Sequence, residues 1–139
     1  MLKAIKAALT ISTPILLLLS ASCENLDPED YPDLGIEIIK KGHGARKVES
    51  GDTVFVHYIG RFANGKTFDS SYKRGRPKRT NTRSSTLIKG WKVGMMGMRE
   101  GEKRRLTIPP HLGFGKKGKM NKIPPNAKLI FEVEMLKIE

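Results

Sequence analysis

Leu87-Ile88-Lys89-Gly90-Trp91-Lys92-Val93-Gly94-Met95-Met96-Gly97-Met98 is the only amphipathic stretch with helical spacing in this chain, and what surrounds it decides the fold. Leu87, Trp91, Met95 and Met98, with Ile88 beside them, fall on one face of a short helix despite the glycines. The rest reads as strand and turn. Residues 35–41 form a short strand candidate that stops at Gly42-His43-Gly44. Gly51-Asp52 turns the chain into residues 53–62, rich in β-branched and aromatic side chains. Asn64-Gly65 follows, a dipeptide suited to a two-residue hairpin turn with positive φ at both central positions, and Thr67-Phe68 begins the return strand. Residues 73–86 are polar, basic and irregular. Residues 103–108 make another strand, closed by Pro109-Pro110, and a glycine- and lysine-rich loop runs to Ile123-Pro124-Pro125. Residues 128–138 form the last strand, with Phe131, Val133 and Met135 alternating against Glu132 and Glu134. The connections are too short for parallel crossovers, so the sheet is antiparallel. Its apolar face needs a cover, and only the helix carrying Trp91 can supply one. The fold class is therefore α+β: five to six antiparallel strands in a curved sheet wrapped around one short helix.

Two phosphate-binding patterns occur without their context. Gly60-Arg61-Phe62-Ala63-Asn64-Gly65-Lys66-Thr67 matches G-x-x-x-x-G-K-[ST] letter for letter. A phosphate loop needs a helix starting at its lysine, whereas here Asn64-Gly65 already explains the segment as a hairpin. Gly113-Phe114-Gly115-Lys116-Lys117-Gly118 fits G-x-G-x-x-G but follows two prolines and leads into no helix. His43, His57 and His111 have no ligand-like spacing to one another or to Cys23, so no metal is expected. No G-x-S-x-G elbow is present. Any catalysis must come from a shaped, dry cavity, and no cofactor is expected.

The N-terminus and the charge bear on location. The 139 residues carry a formal net charge of +12, which favours anionic surroundings or simply a soluble surface. Lys3 and Lys6 precede a leucine-dense apolar run at 11–19, and Ser20-Ala21-Ser22 leads to Cys23, the only cysteine. Thr10 precedes the run and Ser12, Thr13 and Pro14 interrupt it, and it is too short for a membrane span. Residues 1–22 read as a signal peptide. The end of the segment resembles a bacterial lipobox, in which Cys23 would be lipidated and so anchor the chain in a membrane, although Ser20 stands where a leucine is usual. Ordinary cleavage leaving a free thiol is the alternative. Residues 23–34 are acidic, contain Pro28 and Pro32 and lack periodicity, so they read as an acidic tether. These features place the protein in the cell envelope, on the periplasmic side or at the outer membrane.

From the residues alone, Trp91, Ile88 and Phe131 are equally readable as plain core, Asp69 as a turn residue and Tyr58 as a strand aromatic. Five segments change that balance. Val56-His57-Tyr58-Ile59-Gly60, Gly65-Lys66-Thr67-Phe68-Asp69-Ser70-Ser71, Leu87-Ile88-Lys89-Gly90-Trp91, Met98-Arg99-Glu100-Gly101-Glu102-Lys103 and Ile123-Pro124-Pro125-Asn126-Ala127 resemble, in order and spacing, the signature of FK506-binding (FKBP-type) peptidyl-prolyl isomerases. The resemblance covers residues 35–139. It implies a half-barrel around a short helix, with a prolyl pocket between them. By motif, Trp91 is the pocket floor, Tyr58, Phe68, Ile88 and Phe131 are walls, and Leu87 and Ile123 lie beside them. Asp69 and the Tyr58 hydroxyl are the polar groups, the Ile88 N–H holds a substrate carbonyl, and Phe114 stands where the family usually has a tyrosine. Tyr58, Phe68 and Asp69 are the expected catalytic residues.

The departures cluster at the pocket rim. Lys78 and Thr80 stand where the family commonly has phenylalanines, and Lys122 stands where an apolar residue is usual. Residues 73–83 hold six basic residues and no acid, and residues 116–122 hold four lysines. The expected partners are proline-containing polypeptides, with acidic ones favoured, and a membrane through the lipid anchor. No nucleic acid is expected, and the chain is expected to act as a monomer. The expected function is isomerisation that assists folding of exported proteins. The alternative is a prolyl-peptide-binding or chaperone module with weak or no turnover.

Overall fold

The computed structural model describes residues 24–139, so the leader at 1–22 and Cys23 lie outside the described residues. Six strands follow in chain order: β1 (Gly35–Lys40), β2 (Thr53–Phe62), β3 (Thr67–Ser70), β4 (Lys78–Asn81), β5 (Lys103–Ile108) and β6 (Leu129–Ile138). One helix, α1 (Lys89–Gly94), lies between β4 and β5. The order across the sheet is β1-β5-β6-β2-β3, every pairing is antiparallel, and β4 adds to the same edge of β2 as β3. This is the curved α+β sheet expected from the alternating strands.

Period-two alternation sets which side chains face the helix. Val54, Val56 and Tyr58 of β2, Leu106 and Ile108 of β5, and Leu129, Phe131, Val133 and Met135 of β6 are all buried. They meet Trp91, Val93, Met95 and Met98 from α1 and the turn after it. The helix is shorter than the periodic stretch 87–98, because Met95 to Gly97 continue as a turn rather than helix. Its glycines let it lie close to the sheet. A Cβ on Gly90 would stand 2.6 Å from Ile108 Cγ2, and one on Gly94 2.6 Å from Leu106 Cδ1.

A buried ion pair fixes the far end of the helix. Arg104 points inward from β5 beside Leu106, binds the buried carboxylate of Glu102, and donates at 2.9 Å to the carbonyls of both Gly94 and Met96. These are carbonyls that the end of a helix otherwise leaves unsatisfied.

Three sequence expectations need correction. The hairpin after β2 is not a two-residue turn: of its residues only Gly65 has positive φ, at 90°. Phe62 and Lys66 pair across Ala63-Asn64-Gly65, with Gly65 N–H donating to the Phe62 carbonyl at 2.9 Å. That is a three-residue loop with the glycine in the left-handed position. Residues 73–86 are not all irregular, because Lys78–Asn81 forms β4 against Thr53 to Val56. Nor is the segment after Cys23 a featureless spacer. Leu26 and Leu34 are each only 6% exposed and join the main core. A 3₁₀ turn, Pro28–Asp30, lies between them, capped by the Asp27 side chain, which accepts from Glu29 N–H at 3.0 Å. Glu24 bridges Lys89 at 2.7 Å and Lys92 at 3.2 Å, both on α1, and Asp33 meets His111 at 2.7 Å.

Candidate functional site

The pocket opens where β2 and β3 part from α1. Tyr58 comes from β2 and Phe131 from its neighbour β6, which places the two rings on one sheet face. Phe68 and Asp69 come from β3, Leu87 and Ile88 from the entry to α1, and Trp91 from its first turn. The long β5–β6 loop supplies Phe114 and Ile123. All nine of these side chains, singled out from the sequence, border one cavity of about 120 Å³. Thr86, Lys78, Lys119 and Lys122 complete its lining. Thr80, two residues along β4 from Lys78, is not part of it.

The floor is a box of edge-on aromatic contacts. Trp91 lies 5.0 Å from Tyr58 at 85° and 5.2 Å from Phe131 at 83°, and Phe68 lies 5.6 Å from Phe131 at 85°. Such T-shaped pairs place positive ring edges against negative ring faces and fix the rings beyond what burial alone does. Phe62 stacks behind Phe68 at 4.7 Å. The cavity therefore has stiff apolar walls.

Its polar side is a three-member network. Tyr58 OH donates to Asp69 Oδ2 at 2.7 Å, and Arg74 Nη1 donates to Asp69 Oδ1 at 2.6 Å while its other terminal nitrogen donates to the Tyr58 oxygen. Burial, with the hydrogen bond to Asp69, pushes the Tyr58 phenol up to about 12. Burial alone would raise the Asp69 carboxyl, but the hydrogen bonds from Tyr58 and Arg74 and the charges of Arg74 and Lys122 hold it below its ordinary value. At neutral pH the site thus holds a phenol, a carboxylate and a guanidinium, already paired. None is poised as a proton donor or nucleophile, and what they offer is a fixed field. Sequence reasoning missed Arg74. It leaves the sheet edge between β3 and β4 and returns over the Tyr58 ring at 5.5 Å, a path no local pattern announces. The Ile88 N–H, at the entry to α1, has no acceptor among the described residues.

The profile of the FKBP-type peptidyl-prolyl cis-trans isomerase family matches residues 44–136. The chain belongs to the FKBP-type peptidyl-prolyl cis-trans isomerases. It is 46% identical to FK506-binding protein 1A of Neurospora crassa over 106 residues, spanning 76% of this chain and 88% of that one. It is 41% identical to human peptidyl-prolyl cis-trans isomerase FKBP2 over 130 residues, spanning 93% and 92% of the two chains. Among solved structures, that of FkpA from Escherichia coli superposes with a TM-score of 0.71 at 39% identity. That match covers 76% of this chain and 48% of FkpA, so the likeness is to about half of the bacterial protein. The activity of this FKBP-type domain is peptidyl-prolyl cis-trans isomerisation, and its substrates are proline-containing peptides.

Proposed function

We propose that this isomerase assists the folding of exported polypeptides at the cell envelope of a bacterium. A diacylglyceryl thioether on Cys23 holds it there as a monomeric lipoprotein. Its catalysis is non-covalent, and proline segments with acidic neighbours are favoured. The observation that carries the catalytic reading is the aromatic cavity itself, a ring-sized space whose floor is Trp91 and whose one carboxylate is already paired. The lipobox-like Ser20-Ala21-Ser22-Cys23 supports the location.

The chemistry follows from the amide. Rotating an X–Pro bond breaks resonance, against a barrier of about 18–20 kcal/mol, and leaves the free reaction on a scale of tens of seconds or more. Losing resonance also reduces the charge separation between oxygen and nitrogen. The twisted amide is therefore less dependent on water than the planar one, and an apolar cavity favours it. Walls of Tyr58, Phe68 and Phe131 that fit the twisted ring add differential binding, and only binding that is stronger in the transition state accelerates the reaction. In this reading the Ile88 N–H holds the carbonyl that precedes the ring, while Asp69 and Tyr58 shape the field beside it.

A proline-limited refolding assay tests the reading. The wild-type chain accelerates the slow phase, and Asp69→Val and Phe68→Ala each lose most of that effect while remaining folded. A folded wild type with no effect would leave the pocket a peptide-binding or chaperone site. Incorporation of labelled fatty acid, abolished by Cys23→Ala, tests the anchor.

A further inference from the structure

Three lysines line the pocket, and among the described residues no carboxylate pairs with any of them. Lys78 approaches on β4, while Lys119 and Lys122 approach on the β5–β6 loop, and all three line the cavity. Its single carboxylate, Asp69, is already held by Tyr58 and Arg74. Among the described residues none of the three lysines forms an ion pair, whereas Lys89 and Lys92 on the nearby helix share Glu24. Arg76 and Arg79 border an adjoining hollow together with Lys78, so the positive surface continues outward.

The lysine loop is held in shape. Lys119 and Ile123 exchange two backbone hydrogen bonds of 2.8 Å, and Lys122 N–H donates to the Lys119 carbonyl at 3.0 Å. Asn121 takes the left-handed conformation, with φ at 61°, to close the turn. Lys119 Nζ stands 5.6 Å from the centre of the Phe114 ring, the ring that carries no hydroxyl. The field of Lys122 reaches into the pocket, where it contributes to keeping Asp69 ionised. Like charges gathered in a cleft repel one another and focus an outward field, and a bound carboxylate relieves the one and answers the other.

We infer that Lys78, Lys119 and Lys122 form a carboxylate subsite, so that the isomerase selects proline segments with Asp or Glu one or two residues from the proline. The inference rests on the prolyl ring occupying the cavity, as in the function proposed above. An extended peptide advances about 3.3 Å per residue, which keeps such a side chain at the mouth while the ring is on the floor. A substrate lysine at the same place would add a fourth cation.

The test uses capped peptides that differ only in Glu, Gln or Lys at the residue two before proline. Turnover is measured alongside affinity, the latter from the fluorescence of Trp91, the only tryptophan. Glu should exceed Lys about tenfold in both at low salt, with Gln between them, and the ratio should fall to about twofold at 0.5 M salt as screening shortens the field. K78Q/K119Q/K122Q should bring the ratio near one, and each single substitution should lower it about two- to threefold should the triple variant fold poorly. Removing equal charge at the exposed Lys40, Lys41 and Lys66 should leave the ratio alone. Equal values for Glu and Lys in the wild type overturn the subsite, as does a preference that survives the triple substitution. Loss of anionic-vesicle binding in the triple variant with the peptide ratio intact also overturns it, and assigns the lysines to a lipid surface. Glu-selective binding without turnover keeps the subsite and removes the catalytic reading, while turnover without Glu preference does the reverse.

Discussion

At the scale of single residues, the pocket's chemistry is set by which groups stay protonated. Tyr58 is a phenol and Asp69 a carboxylate across the whole neutral range, because their shifts run in opposite directions. Isomerase activity should therefore be flat between about pH 5.5 and 9, and a bell-shaped profile would reveal a titrating group that the pocket does not contain. Stability should depend on pH at both ends. Asp69 has a lowered folded value, so its contribution is present above the unfolded value near 3.9 and is lost as pH falls through the folded one. Tyr58 has a raised value, so its contribution is present below about 10 and is lost as pH rises through about 12. The side chains of the Asp69–Arg74 pair are 25% and 44% exposed, so its worth is about 0.5–1 kcal/mol. Unfolding free energies of wild type and Asp69→Asn should differ by that amount at pH 7 and converge as pH falls through the lowered folded value of Asp69. Tyr58 and Asp69 were legible in the sequence because they sit in ordered motifs. Arg74 was not, because its partners lie 16 and 5 residues away across a loop whose path only the fold sets.

At the scale of elements, legibility followed the strength of the apolar pattern. β6 alternates cleanly and β2 is dense in β-branched and aromatic residues, and their bounds in the sequence fall within a residue of those in the fold. β4 reads Lys-Arg-Thr-Asn, which carries no apolar signal, and is a strand because the exposed edge of Thr53 to Val56 offers it unpaired backbone groups. Alternation through Leu106 and Ile108 puts Arg104 on the inner face, but arginine is almost never buried unless paired, and its pairing with Glu102 shows only in the fold. The helix glycines set two effects against each other. Alanine at Gly94 gains about 1 kcal/mol of helix propensity. It also forces a methyl against the fully buried Leu106, and overpacking of this kind costs about 1–3 kcal/mol. The second effect should win, so Gly94→Ala is expected to destabilise by about 1 kcal/mol and to lower turnover by displacing Trp91. Thermal unfolding and the refolding assay read both, and a stabilised variant would mean that α1 can move off the sheet at little cost.

At the scale of the whole molecule, residues 24–34 change how the domain relates to its N-terminus. Composition made the segment a tether, because two leucines eight residues apart in an acidic, proline-containing stretch have no period to reveal that both are buried. In the fold they are part of the core, and Glu24 joins the two lysines of the helix that carries the pocket floor. Tyr31 adds to this by donating to the Asn25 carbonyl at 2.9 Å and by lying under Lys89, whose Nζ is 5.3 Å from the ring centre. A chain fastened at Cys23 would then have almost no slack, and the α1 side of the domain would be held next to the anchor. Docking of this kind should show in stability. Leu26→Ala removes a buried leucine and should cost about 2–3 kcal/mol. For a domain of this size that is a fall in Tm of roughly 8–15 °C. Glu24→Gln, which breaks two partly exposed ion pairs, should cost under about 1 kcal/mol and lose its effect in high salt. The contrast is the informative result, since a spacer would leave both variants at the wild-type Tm, whereas a docked strap makes the leucine matter several times more than the charge.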